Sequence, residues 1–427
     1  NYLDLFSAIV YNILMIPRKD LDRLLKQATN HSLSIIIGAR QVGKSTLLGM
    51  IRTQLPQPSE MFNLENPLHL SLFNEGYTSF IRTIRTKLIF IDEFQYCNNI
   101  SSVFKAVYDL NPQIKIYATG SSSMEIQTHL KESLAGRKLE TILYPLTYSE
   151  WLCQEDESQR PPLSPHIEDV TPPDELEAHR ARLREFMRYG ALPGLTALSE
   201  DLEKREYLFG IYQTYIAKDI KAFLKEESVL SFNKAITWLA LNNGAQLKKS
   251  TLCGVAGISI RQIERYLDVL GGTFVLALLP PISTNRGKEL TKTPKFYLYD
   301  QGIINSIIQD FRDIDRRPDT GTLREQFVFW ELKKHLDIRY SLYYWRTADG
   351  KEVDFVLKKD QQLLPIEVKS SWQPPIVPPG LRHFLSYYPE SKSAVVLYDG
   401  PEYTSRYNDC TIYFAPIHKA FAALSLL

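Results

Sequence analysis

Residues 38–46 read GARQVGKST and are the first stretch whose spacing implies chemistry. They fit G-x-x-x-x-G-K-[ST], a pattern that average residue usage would produce in about one chain of this size in fifty. Gly38 and Gly43 let the backbone curl so that its N–H groups face a phosphate. The stretch follows the apolar run LSIIIG (33–38) and opens the helical pattern KSTLLGMIRTQL. A helix N-terminus there adds positive potential. Lys44 would reach the β- and γ-phosphates of ATP, and Ser45 would ligate Mg²⁺. Thr46 completes the cofactor-binding run.

Hydrolysis also needs an acid at the end of a second buried strand, and LIFIDEFQ supplies it. Asp92 would hold the Mg²⁺ shell and Glu93 would polarise the attacking water. YATGSSS (117–123) ends the next apolar run with Thr119, placed to sense the γ-phosphate. Arg137, in ESLAGRKLE, is a candidate charge-stabilising arginine, in cis or in trans. For each of these the plain alternative is a polar strand end or a surface arginine.

A second cluster lies in EVDFVLKKDQQLLPIEVKSS, residues 352–371. Side chains repeat every two residues along a strand, so Glu367 and Lys369 share a face. Asp354 lies on a preceding strand across the short turn KKDQQ. In a hairpin the two carboxylates could converge on one divalent ion, which would polarise a phosphate and acidify a water. Lys369 would position the nucleophile and stabilise charge. The upstream helix TLREQFVFWELKKHL offers Glu325 as a further acid. That helix also carries a duplicate E-x-K at 331–333, which is expected to be inert.

Between the two clusters, LCGVAGISIRQIERYL reads as helix, glycine turn at Gly257, helix. Ile260, Ile263, Leu267 and Leu270 give the second helix an apolar face with a 3.6-residue period. Arg261, Gln262 and Arg265 point elsewhere, as on a recognition helix presented to DNA. NRGKELTKTPK would follow as a basic wing, with Arg286, Lys288, Lys292 and Lys295 near phosphates. Packing or protein contact is the alternative use of such a segment.

The elements that must position these residues follow from the pattern. LSIIIG, MFNLEN (61–66), KLIFIDEF (87–94) and IKIYATG (114–120) alternate with helical stretches such as SSVFKAVYDL. That alternation implies a parallel sheet covered by helices. Residues 154–177 are acidic and proline-rich and read as an exposed insertion or linker. The expected organisation is an ATPase domain over 1–152, the insertion over 153–178, a helical and winged-helix region over 179–310 and an α/β domain over 311–427. At 427 residues, two to four domains are expected. A net charge of +1 makes any nucleic-acid site a local patch. Four scattered cysteines form no metal cluster and no disulfide framework, which suits the cytoplasm. No apolar run approaches the ~18 residues of a membrane span. The first residues, NYLDLFSAIVYNILMIPRKD, read as an opening helix or an artificial boundary.

GARQVGKSTLL, FNLENP, IFIDEFQ, ATGSSS, LAGRKLETILYPLTYSEWL and YGALPG occur in that order. The sequence closely resembles a large prokaryotic family of AAA-type ATPases with a fused C-terminal domain of uncharacterised function, also described as nuclease-like. The resemblance runs over nearly the whole chain apart from the acidic insertion. It implies an ASCE-class P-loop core, a winged-helix segment and a terminal restriction-endonuclease-like fold. The last block resembles the PD-(D/E)xK nucleases, with Asp354, Glu367 and Lys369 in motif positions and Glu325 in the place of the helix acid. The pattern's "PD" is "VD" here. Two readings remain open. One is an ATPase acting on DNA; the other is a nucleotide-controlled switch that binds DNA, a protein partner or itself without cleaving.

Overall fold

The computed structural model describes residues 16–121, 133–214, 229–282 and 293–427. The chain is mixed α/β and forms two compact units. The first comprises Asn1–Leu146, Leu192–Ala197 and Asp268–Val275; the rest of the chain is the second.

In the first unit, β1 (Leu33–Gly38), β2 (Ser59–Asn63), β3 (Leu88–Asp92), β4 (Lys115–Ser121) and β5 (Lys138–Ile142) form one sheet in the order β2-β3-β4-β1-β5. All four pairings are parallel. Every residue of β1 and β3 is buried. Ile35, Ile37, Ile89, Ile91 and Ile116 pack with Val103, Phe104 and Val107 of the helix Ile100–Leu110 in one apolar cluster. β2 ends earlier than the expected MFNLEN run. Asn63 turns the chain there by accepting from the Glu65 amide at 2.8 Å, and Asn66 caps the next helix. β5 is an edge strand carrying Lys138 and Glu140, so no apolar run announces it.

The second unit begins with helices. A helix–turn–helix (Lys249–Ala256, then Ile260–Gly272), whose residues from Asp268 onward belong to the first unit, has Gly257 at φ 69° in the glycine turn expected there. Ile263, Leu267 and Leu270 are buried, but Ile260 is 54% exposed because it opens the helix. The antiparallel ribbon β6 (Leu276–Leu279) and β7 (Lys295–Leu298) follows. The long helix Thr320–His335 then leads into a six-stranded mixed sheet. That sheet comprises β8 (Tyr340–Arg346), β9 (Glu352–Lys359), β10 (Gln362–Val368), β11 (Ser393–Tyr398), β12 (Tyr403–Tyr407) and β13 (Cys410–Pro416). Their order is β12-β13-β11-β10-β9-β8.

The acidic stretch after Leu152 is mostly exposed, as expected, but it is anchored at a few points. Ile167 is buried, and Thr171 donates to Glu402 at 2.6 Å. The Pro162 carbonyl meets His179 Nε2 at 3.1 Å. His179 Nδ1 lies 3.1 Å from the Tyr148 hydroxyl, so the ring is served on both sides as a neutral tautomer. It stacks on His418 at 3.9 Å between centroids. Burial pushes His179 down to about 4, and burial together with the neighbouring His179 pushes His418 well below its usual value.

A histidine depressed in the folded state stabilises the fold above its unfolded value near 6.5, and that contribution is lost as pH falls toward 4. His179 alone should therefore cost about 2 kcal/mol between pH 7 and pH 5. Thermal unfolding followed across that window should show a steep slope that His179→Gln flattens. An unchanged slope would mean that both rings are solvated.

Candidate functional site

The carboxyl ends of parallel strands form one edge of a sheet, where open α/β sheets bind ligands. At this edge β4 lies between the strand that leads into the glycine loop and the strand that ends in the acids. Leu143 runs close to the end of β1, where its amide donates to the Ile37 carbonyl at 2.7 Å. A Cβ on Gly38 would come within 2.2 Å of the Leu143 carbonyl oxygen. Gly43 sits at φ 90° immediately before the helix Lys44–Gln54. Both glycines are therefore required by backbone geometry. Ser45 and Thr46 stand in the first turn of that helix, with Ser45 exposed.

Lys44 is 5% exposed, and its Nζ donates to the carbonyls of Gly38 (3.2 Å) and Ala39 (2.8 Å). Burial lowers it to about 8, against the opposing pull of Glu93 and Asp92. Arg18, which the motif search passed over, braces the loop from behind. Its guanidinium donates to the carbonyls of Val42 (2.7 Å) and Tyr144 (2.8 Å). No spacing rule connects residue 18 to residue 42, so only the fold reveals it.

Asp92 is buried and accepts from the Thr119 hydroxyl and, at 3.1 Å, from the Glu93 amide. Thr119 is thus brought to the site expected of it, but as a partner of Asp92. Glu93 adopts left-handed backbone angles (φ 54°, ψ 45°). Its carboxylate accepts from Gln95 Nε2, while Gln95 Oε1 accepts from the Ser121 amide at 3.0 Å. Gln95 therefore couples the acid to the end of β4, a role that its position in DEFQ did not announce. Arg137 is not at this edge. Its carbonyl accepts from the amide of Leu33, at the start of β1, and its guanidinium pairs with Asp109 at 2.8 Å. A six-residue strand rises about 3.3 Å per residue, so the cis role is ruled out by distance.

In the second unit, β9 and β10 are antiparallel with Phe355 opposite Ile366. The next step of that register sets Asp354 opposite Glu367 on one face. The turn is only two residues, Asp360 and Gln361, because both strands extend into KKDQQ. Asp354 Oδ2 accepts from the Val368 amide at 2.8 Å. Glu367 Oε1 is 2.5 Å from Lys369 Nζ, while its buried Oε2 has no hydrogen-bond partner. Burial, then Glu367 and Glu325, push Asp354 well above the usual carboxylate range. Burial also raises Glu367, against Lys369. Burial alone would lower Lys369, but Glu367 and Asp354 outweigh it and hold it above its ordinary value. The helix Pro379–Tyr387 starts tightly against this face. A Cβ on Gly380 would lie 2.0 Å from the Glu352 carbonyl oxygen and 3.6 Å from Glu367 Oε2.

Among the described residues no three His, Cys, Asp or Glu side chains gather as metal ligands. The expected trio of Glu325, Asp354 and Glu367 is therefore not assembled. Glu325 Oε1 is engaged instead, 2.9 Å from Lys295 Nζ and 2.5 Å from the Tyr297 hydroxyl, although its charge still bears on Asp354. The donor set fits one divalent ion at Asp354 and Glu367, where an orphaned carboxylate oxygen already faces no donor. Lys295, expected on a phosphate-facing wing, is instead 4% exposed between carboxylates. The duplicate Glu331 is buried on its helix and accepts from the Tyr148 amide at 3.1 Å, a structural use.

On the second helix of the helix–turn–helix, Arg261 and Arg265 are exposed. Gln262 is not available for readout. It accepts from the Ser259 amide (3.1 Å) and hydroxyl (2.9 Å), forming a capping box at the helix start. Arg286, Lys288 and Lys292 lie outside the described residues.

Residues 30–152, which hold the glycine loop, the acid strand and the parallel sheet, match the family model described as an AAA domain. Residues 180–314 and 320–419 match two domains of unknown function, DUF8612 and DUF4143. An uncharacterized protein of Mycobacterium tuberculosis is 26% identical over 368 residues, covering 85% of this chain and 76% of the relative. One of Haemophilus influenzae is 26% identical over 378 residues, covering 83% and 86%. Among solved structures, the Walker-type ATPase of Pyrococcus abyssi aligns with a TM-score of 0.46 at 15% identity, over 69% of this chain and 96% of that one.

The left-handed backbone of Glu93 costs a non-glycine residue on the order of 1 kcal/mol. Glu93→Gly should therefore raise the unfolding temperature of the protein while removing its carboxylate. Calorimetry checks this; a lowered midpoint would mean that the contact with Gln95 outweighs the strain.

Proposed function

We propose that this protein binds ATP with Mg²⁺ at the N-terminal loop, hydrolyses it, and acts on DNA through a metal-dependent phosphodiester site in the second unit. The observation behind the first part is that Lys44, opening the helix after β1, and Asp92 and Glu93, at the end of β3, lie at the same edge of the parallel sheet, where the two acids oppose the effect of burial on Lys44. Lys44, freed from its own loop carbonyls, takes the β- and γ-phosphate oxygens, which restore the charge that burial opposes. Ser45 and Asp92 are the residues that would hold Mg²⁺, which would supply charge to neutralise the phosphates. Glu93 accepts a proton from the water that attacks the γ-phosphorus, and the bond to the bridging oxygen of ADP breaks. Thr119 holds Asp92 in place. Arg137, half-buried, paired with Asp109 and far from its own loop, is left for a role in trans.

The observation behind the second part is the cross-strand pair of Asp354 and Glu367 with its unpartnered oxygen. These two residues would hold a divalent cation, which supplies phosphate polarisation and a more acidic water. Lys369 keeps a positive charge next to Glu367, where a scissile phosphate carries developing negative charge. Arg261 and Arg265 supply exposed positive charge for a duplex backbone. The cytoplasm is the compartment that suits this reading; no helix among the described residues is long and apolar enough to cross a membrane.

A second reading is favoured by the Lys369–Glu367 ion pair, which already satisfies one carboxylate oxygen without a metal. There the terminal domain binds DNA or a protein without cutting, under nucleotide control.

Three variants separate these. Lys44→Ala should abolish nucleotide binding in a fluorescent-ATP titration. Glu93→Gln should keep ATP affinity and lose ~10²-fold or more in turnover. Asp354→Asn should leave ATP turnover intact and eliminate DNA cleavage with Mg²⁺ or Mn²⁺. Cleavage that survives Asp354→Asn would sink the nuclease assignment. Wild-type binding to DNA without any cleavage would favour the second reading.

A further inference from the structure

Lys295 stands out among the buried charges. It opens β7, is 4% exposed, and its ammonium touches carboxylates from two other elements. Glu352 Oε1, on β9, lies at 2.5 Å and Glu325 Oε1, on the long helix, at 2.9 Å. The Tyr344 ring centroid is 5.5 Å away, and the hydroxyl of Tyr297, also on β7, donates to the same Glu325 oxygen at 2.5 Å. The other oxygen of Glu352 is held by Arg346 at 2.7 Å. Glu352 and Asp354 are two residues apart on one strand and so share a face. The face therefore carries two groups of charges. Glu325 and Glu352 are closed around Lys295 and Arg346; Asp354, which feels the Lys295 charge but makes no ion pair with it, and Glu367 are left with Lys369 and an open oxygen.

A tethered ammonium competes with a diffusing cation on favourable terms. It loses little freedom on pairing, and neither partner can be released without burying an uncompensated charge, which costs several kcal/mol. We propose that Lys295 is an internal counter-ion that withdraws Glu325 and Glu352 from the carboxylate row, so that the terminal site takes one divalent cation, on Asp354 and Glu367, and no second. This rests on the assignment of Asp354 and Glu367 as cation ligands. Lys295 is a positioning residue here: it acts through the two glutamates and touches no substrate. The arrangement also gives β7, the strand after the basic segment 285–295, a direct electrostatic hold on the site.

The test is calorimetric titration of the full nucleotide-free chain with Mn²⁺, reading stoichiometry and affinity rather than activity. Wild type should bind one ion at this site. Asp354→Asn and Glu367→Gln should each weaken it by ~10-fold or more, the loss expected on removing a ligand or its close support. Glu325→Gln, nearly isosteric, should change affinity less than ~2-fold, because Glu325 is already occupied. Lys295→Met, by releasing both glutamates, should add a second ion or tighten the first by ~10-fold. A loss in Glu325→Gln as large as in Glu367→Gln overturns the inference while keeping the cation site. An unchanged Lys295→Met overturns it as well; if that variant fails to fold, Glu325→Gln decides alone. Absence of Mn²⁺ binding in wild type and in every variant removes both the inference and the assignment beneath it. Binding that appears only in Lys295→Met supports the inference in its strongest form.

Discussion

A charge taken out of water must be answered by an opposite charge or by donors, and that constraint organises the second unit. Lys295 is answered by Glu325 and Glu352, Lys369 by Glu367, and Arg324 by Asp399. The first and the last tie together elements distant in sequence, a ribbon strand to a helix and a sheet and a helix to the residue after β11, whereas Lys369 and Glu367 are two residues apart. Apolar packing alone would let these elements slide; the ion pairs fix them, because a slip of one residue would turn each carboxylate to the other face of its strand. The site carboxylates are placed by the same logic that holds the unit together.

The first unit solves a different problem. A loop that is to cradle a phosphate must hold its curled shape at the sheet edge without collapsing. It does so by satisfying the acceptors. Arg18 takes the carbonyls of Val42 and Tyr144, and Lys44 covers those of Gly38 and Ala39. Glu93 and Gln95 similarly hold one another at the end of β3, linked to β4 through Ser121.

Much of this was legible in the sequence, and what was not has physical reasons. The glycine loop could be read because its chemistry is local: nine consecutive residues make the whole feature. Asp354 and Glu367 could be read because strand alternation and a short turn carry the geometry across. Glu325 was misplaced because its partner, Lys295, is thirty residues upstream and looked like one basic residue among several. Gln262 was misread because Ser259-x-x-Gln262 serves equally as a capping box and as a polar helix face. Arg137 was read from its place in the sequence alone, but strand polarity puts it at the opposite end of β1. β5 and the anchor points of the acidic stretch lack a strong apolar signal, since an edge strand and a mostly exposed loop are held by a few contacts rather than by a hydrophobic run.

The open oxygen of Glu367 has a consequence outside catalysis. A buried acceptor without a donor makes the folded state less stable than its packing would allow, whereas the unfolded chain hydrates that oxygen fully. Whatever cation settles there acts as a folding ligand, shifting the balance in proportion to its concentration. Marginal stability sets how much of a protein escapes proteolysis. The amount of this protein that persists in a cell would thus rise and fall with its divalent-ion supply, even when no substrate is present.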